Sequence, residues 1–220
     1  LLARNGTHYF GTNTSAPYTG ESSSRFGLDL QIGKIGGSST GNSPGGTWYC
    51  SSIRSNQSAN SLILTSGTCY ITGEQTSWNR FFEITNGGAS NSDGDIHIVT
   101  PATAEIQWDY GNTDAGDDGP HNLILDNTTG GGSQVVRIRS HLKVDNDFSV
   151  LHSSFEQRTV DGSGDMNTEV GGELKIGDGG SKTGVYTCYD ADTQVRNLHT
   201  TTTGTITAPT ASSSLLPADT

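Results

Sequence analysis

The chain has 220 residues and a formal net charge of −11, from 12 basic and 23 acidic side chains. That balance excludes binding driven by Lys and Arg against phosphate backbones or anionic membrane surfaces. Gly, Ser and Thr dominate the composition, while 30% of the chain is hydrophobic and 16% charged; this excludes a large helical or α/β core and also a highly charged disordered chain.

In chain order, the first strand signal is the alternation from Gly27 to Ile32. Residues 34–46 carry Gly36, Gly37, Gly41, Gly45 and Gly46 and read as a flexible loop. Thr47 to Ile53 is aromatic and β-branched, and Ser61–Thr65 and Thr68–Thr72 read as strands joined at Ser66-Gly67. Phe81 to Thr85 precedes a turn at Asn86-Gly87-Gly88; Asp95 to Val99 alternates; Ala104 to Tyr110 follows Pro101. Gly111 to Pro120 is a long acidic turn region. Further short strands are expected at 122–125, 134–139, 141–144, 148–151, 155–160, 172–176 and 184–189. No window of about 11 or more residues keeps helical apolar spacing without a Gly or turn cluster. The longest apolar run, Leu62-Ile63-Leu64, is far short of the roughly 20 residues of a spanning helix. The chain starts with Leu and shows no signal peptide, so it reads as a piece of a longer polypeptide or a processed product.

The fold class expected is all-β. Leu123-Ile124-Leu125-Asp126-Asn127, Leu142-Lys143-Val144-Asp145-Asn146 and Leu174-Lys175-Ile176-Gly177-Asp178 share one form, an apolar–any–apolar triad followed by a turn pair, with a looser copy at Leu30 to Lys34. The interval from Leu142 to Leu174 is longer than that from Leu123 to Leu142. Both suit coils of a parallel β-helix, with an insertion in the longer one. Asn or Asp at the corners would take the left-handed bend. A parallel β-solenoid is therefore expected for the C-terminal half, 111–199. The N-terminal region, 1–110, reads as β-rich, either solenoid or sandwich. Residues 200–220 read as a Thr/Ser/Pro-rich tail or linker.

The segment Leu142 to Val150 (LKVDNDFSV), followed by Val170-Gly171-Gly172-Glu173-Leu174-Lys175-Ile176, resembles the parallel β-helix repeats of large bacterial surface adhesins and of phage tail fibres and tailspikes. The resemblance covers about a quarter of the chain, and Asp161-Gly162-Ser163-Gly164-Asp165 breaks its rhythm. It implies a structural or adhesive role in an extracellular or virion assembly, as a fibre, spike or decoration protein. It also implies partners that are copies of the chain itself, other assembly proteins and surface glycans. Neither nucleic acid nor membrane insertion is expected. The alternatives are a β-helix polysaccharide lyase or glycosidase acting on surface glycans and a bacterial surface adhesin stalk.

No catalytic signature is present: there is no Gly-x-Ser-x-Gly elbow, and the six histidines (His8, His97, His121, His141, His152, His199) lack metal-ligand spacing. No catalytic residue is expected. The densest carboxylates, Asp114, Asp117 and Asp118 beside Asp109, read first as turn chemistry. Functionally they would hold Ca²⁺, the one cofactor the chain would call for, or supply a glycosidase pair. Trp48, Trp78 and Trp108 are the candidate glycan-stacking residues, because aromatic faces suit sugar C–H surfaces. Cys50, Cys69 and Cys188 read as buried thiols, a Cys50–Cys69 bridge being the alternative.

Overall fold

In the computed structural model the backbone is described for twenty strands and the segments joining the later ones. Side chains are described at 68, 70–71, 95–99, 120–127, 135–138, 141–158, 164 and 166–207. The strands are β1 (Thr7–Tyr9), β2 (Asp29–Gln31), β3 (Ser39–Ser43), β4 (Thr47–Cys50), β5 (Ser52–Ser55), β6 (Asn60–Leu64), β7 (Thr68–Ile71), β8 (Arg80–Ile84), β9 (Ser92–Ile98) and β10 (Ala104–Trp108). Then follow β11 (Pro120–Asp126), β12 (Val135–Ile138), β13 (Leu142–Val144), β14 (Phe148–His152), β15 (Ser154–Glu156), β16 (Thr168–Ile176), β17 (Gly184–Thr187), β18 (Thr193–Thr200), β19 (Gly204–Thr207) and β20 (Leu215–Pro217). Among the described residues there is no helix.

The strands form two long sheets and a small one, and every described pairing is parallel. The first sheet runs β1-β4-β7-β9-β11-β14-β16-β18-β20, with β13 also paired to β16; the second runs β19-β17-β15-β12-β10-β8-β5-β2. From β7 onward the chain mostly alternates between them. Parallel neighbours cannot be joined by a tight hairpin, so each return to a sheet needs a long connection, which here passes through the other sheet. Strands on either side of residue 110 pair with one another, β9 with β11 and β10 with β12. The Thr-rich stretch after residue 200, expected as linker, carries β19 and β20, which extend both sheets.

Alternation decides what each strand buries. In β12 through β17 the inward positions are mostly Val, Ile, Leu, Phe and Tyr, and the intervening positions are mostly polar and half-buried. Because the pairing is parallel and in register, inward residues stack on their equivalents in the next strand of the sheet. Ile96, Leu123, Phe148 and Leu174 form one such column, and Ile98, Leu125, Val150 and Ile176 the next, all 0–1% exposed. From the second sheet Val136, Phe155 and Tyr186 answer them. Phe148 meets Phe155 edge to face at 4.9 Å between ring centroids, and Phe155 lies 5.0 Å from Tyr186. Each such ring, fully buried, contributes about 1.5–3 kcal/mol.

The first column advances from Ile96 through Leu123, Phe148 and Leu174 to Leu198 in nearly even steps. Leu123 and Leu174 are thus two even steps apart, not one short and one long. The partner of both in the strand between them is Phe148. Leu142-Lys143-Val144 pairs instead with Thr168-Glu169-Val170, the first half of β16. Between the half-strands β13 and β14 sits Asp145-Asn146-Asp147, opposite Gly171-Gly172. A Cβ on Gly171 would collide with the backbone oxygen of Asp145. The Val-Gly-Gly unit therefore exists because two backbones approach there. The left-handed corners also differ from expectation: the positive-φ positions are Gly177, Gly179 and Tyr189, with no Asn or Asp among the described residues.

Candidate functional site

Asn and Asp serve another purpose, as rungs of polar ladders. The Asn122 amide donates to Asp95 Oδ1 at 2.7 Å, and Asn122 Oδ1 accepts from the Asn146 amide and from the Asp147 backbone N–H, both at 3.0 Å. Asp147 Oδ1 then accepts the Glu173 backbone N–H at 2.8 Å. A second ladder steps from His141, which accepts the Asn167 N–H, to Asn167, which accepts the Asp192 N–H. Inside, Gln157 donates to the Asp192 carbonyl at 2.9 Å and accepts the Thr193 hydroxyl at 2.8 Å; that hydroxyl also meets the Tyr186 hydroxyl at 3.3 Å. These bonds satisfy backbone and buried groups that an open corner would leave unpaired.

The outward column of the first sheet holds the most varied chemistry. Tyr70, His97 and Ile124 are register partners on β7, β9 and β11. They are the middle residues of the triads Cys69-Tyr70-Ile71, Ile96-His97-Ile98 and Leu123-Ile124-Leu125, whose described flanking residues are buried. All three are half-buried, and the Tyr70 and His97 rings lie 4.6 Å apart, tilted by 35°. On one side runs the Asp95–Asn122 ladder. On the other, Lys182 reaches back to Asp126 Oδ2 at 2.7 Å. Asp126 Oδ1 and the Nδ1 of its register partner His152 are buried without a hydrogen bond.

Electrostatics ties these groups together. Burial pushes the His97 pKa down, against the opposing pull of Asp95 and Asp126, so the neutral imidazole is favoured. Burial, then Asp95 and Asp126, push the Tyr70 phenol up, which keeps it protonated as a donor. Both carboxylates therefore sense the same ring pair.

The second sheet carries an ion-pair group. Glu156 Oε2 accepts from Arg137 Nε at 2.7 Å and from Arg158 Nε at 3.1 Å, and the Arg158 guanidinium lies 4.1 Å above the Tyr189 ring. Arg137 also stands in register with Glu105. Alternating charges across parallel strands suit sheet stability.

The predicted site residues fall apart differently. Asp114, Asp117, Asp118 and Trp78 lie outside the described residues. Trp48 and Trp108 are described as backbone only, in different sheets: Trp48 pairs with Cys69 in the first and Trp108 with Ile84 in the second. Among the described residues no group of three His, Cys, Asp or Glu is placed to hold a metal ion. The sequence reading did not single out Tyr70 and weighed His97 only among the histidines, which lack metal-ligand spacing; the outward middle position of each apolar triad is the signal that marks them. Comparison with protein families, with curated proteins and with solved structures finds no match to this chain.

Proposed function

We propose that the chain is a structural and adhesive component of an extracellular assembly, of the phage or viral fibre, spike or decoration kind, built as a parallel β-solenoid. One observation supports this reading above the others: the continuous parallel register that runs from β1 to β20 through two sheets. Such a stack is stiffened by backbone ladders along its axis and by side-chain ladders that step from strand to strand, and its outward positions repeat from one strand to the next. Stiffness and repeated faces are what a fibre or spike needs. The acidic balance keeps the copies soluble until they meet specific partners.

Its partners would be copies of itself and surface glycans. Size-exclusion chromatography with light scattering tests the assembly. The expected result is a discrete homo-oligomer that persists on dilution to roughly 10 µM, where a stable interface of standard size stays occupied. A monomer at that concentration overturns the reading.

A further inference from the structure

We propose that the end of the stack at β18 and β19, centred on Leu198 and Ile206, is the face through which two copies of this chain join end to end. The inference names the surface for the self-assembly proposed above and rests on that reading.

Both inward columns open at this end. In the first sheet the column reaches Leu174, which is 0% exposed, and then its register partner Leu198, which is 40% exposed. Leu198 is the one exposed large hydrophobic side chain among the described residues. Ile176 is fully buried, whereas its partner Thr200 is exposed. In the second sheet Tyr186 is fully buried, and its partner Ile206 is half-buried against the core. The equivalent positions one strand back are closed, so the exposure reflects an open end of the stack and not the direction of the side chains. β20 covers the first half of β18: it pairs with Thr193, Gln194 and Val195, and Val195 is 5% exposed. The described pairing stops short of Leu198, and β19 ends the second sheet. Strand edges of this kind accept a further strand.

Charge says which occupant fits. With 23 acidic and 12 basic side chains, two copies repel on average. From Thr193 to Thr207, however, there is no carboxylate, and the only basic side chains are Arg196 and His199. Two nearby carboxylates belong to the strand and turn one step back: Glu173 lies 3.7 Å from His199, and Asp178 accepts from the Thr203 hydroxyl. Most of the remaining residues of the segment are Thr, whose hydroxyls both donate and accept, so the face is compatible with itself. The repulsion that keeps copies apart elsewhere is missing where an apolar side chain is left open. A contact of this face with the same face of a second copy closes as a pair.

Sedimentation equilibrium of the full chain tests the face, with Leu198→Glu, Leu198→Lys and, at an exposed bend, Ser181→Glu as the control. An end-to-end pair doubles whatever assembly the rest of the molecule makes. The wild type and Ser181→Glu should therefore share one mass, and both Leu198 variants should show half of it. The end contact should weaken at least about a hundredfold, for two leucine side chains lost per pair. Thermal unfolding should show every variant folded, because Leu198 is already exposed in the single chain. A wild-type monomer overturns the face together with the assembly reading. A wild-type oligomer whose mass neither Leu198 variant changes overturns the face alone. So does a lowered thermal midpoint at unchanged mass, which would assign Leu198 to a contact within the chain, and so does equal dissociation by Ser181→Glu.

Discussion

Phe155 shows how much one side chain carries. It is fully buried, in ring contact with both Phe148 and Tyr186, and paired in register with Val136 and Tyr186. Phe155→Ala is expected to cost about 3–5 kcal/mol, because the parallel backbones on either side cannot collapse into the void; urea unfolding measures it. Cys188 is equally closed: it is 0% exposed, and burial pushes its thiol pKa up. Iodoacetamide should leave Cys188 unmodified in the folded chain and label it in urea, as peptide mapping would show. The buried-thiol reading of this cysteine came from its residue type alone. The outward positions were harder to read. Tyr70 and His97 look like any polar insertion in an apolar triad, and only the register that pairs them stacks one ring against the other.

Among the elements, the rung around β14 explains why the repeat was only half legible. Leu-Lys-Val and Leu-Lys-Ile rhyme at Leu142 and Leu174 because both are apolar-in, polar-out stretches, the first the whole of β13 and the second the end of β16. The pairing ignores the rhyme and sets Phe148-Ser149-Val150 beside Leu174-Lys175-Ile176. Local pattern specifies the inward face, whereas register is specified by what fits between strands, here the Asp145–Asp147 spacer against Gly171-Gly172. Gly171→Ala should consequently lower the thermal midpoint sharply, since the obstructing atom is the Asp145 backbone oxygen. Asn122→Ala removes one acceptor shared by two donors and one donor to Asp95. A loss of about 1–3 kcal/mol in unfolding free energy is expected, measured in urea.

For the molecule as a whole, both polar shifts favour neutral over acidic solution. His97 has a folded pKa below its ordinary 6.5, so the unfolded chain binds the extra proton first. Its contribution is present above pH 6.5 and is lost as pH falls through the folded value. Asp178, held by the Gly180 and Lys182 backbone N–H groups and by Thr203, sits below its ordinary 3.8, and its contribution disappears in a second, more acidic window. Thermal midpoints recorded from neutral to strongly acidic solution should fall in two stages, and His97→Gln should remove the upper one.

Composition and alternation made the all-β class legible in the sequence, since Gly, Asn and Thr between short apolar triads permit little else. Strand order and repeat length were not legible, because they depend on pairings between segments far apart in the chain. Those pairings support the scaffold, and they are open to a direct check in the triple variant Lys143→Cys, Ser149→Cys, Lys175→Cys. All three positions lie outward, and only one of the first two can be the neighbour of residue 175. After mild oxidation, peptide mapping should find residue 175 bridged to 149, its register partner. A bridge from 175 to 143, as the sequence rhyme alone would align them, would contradict the stacked register on which the scaffold rests.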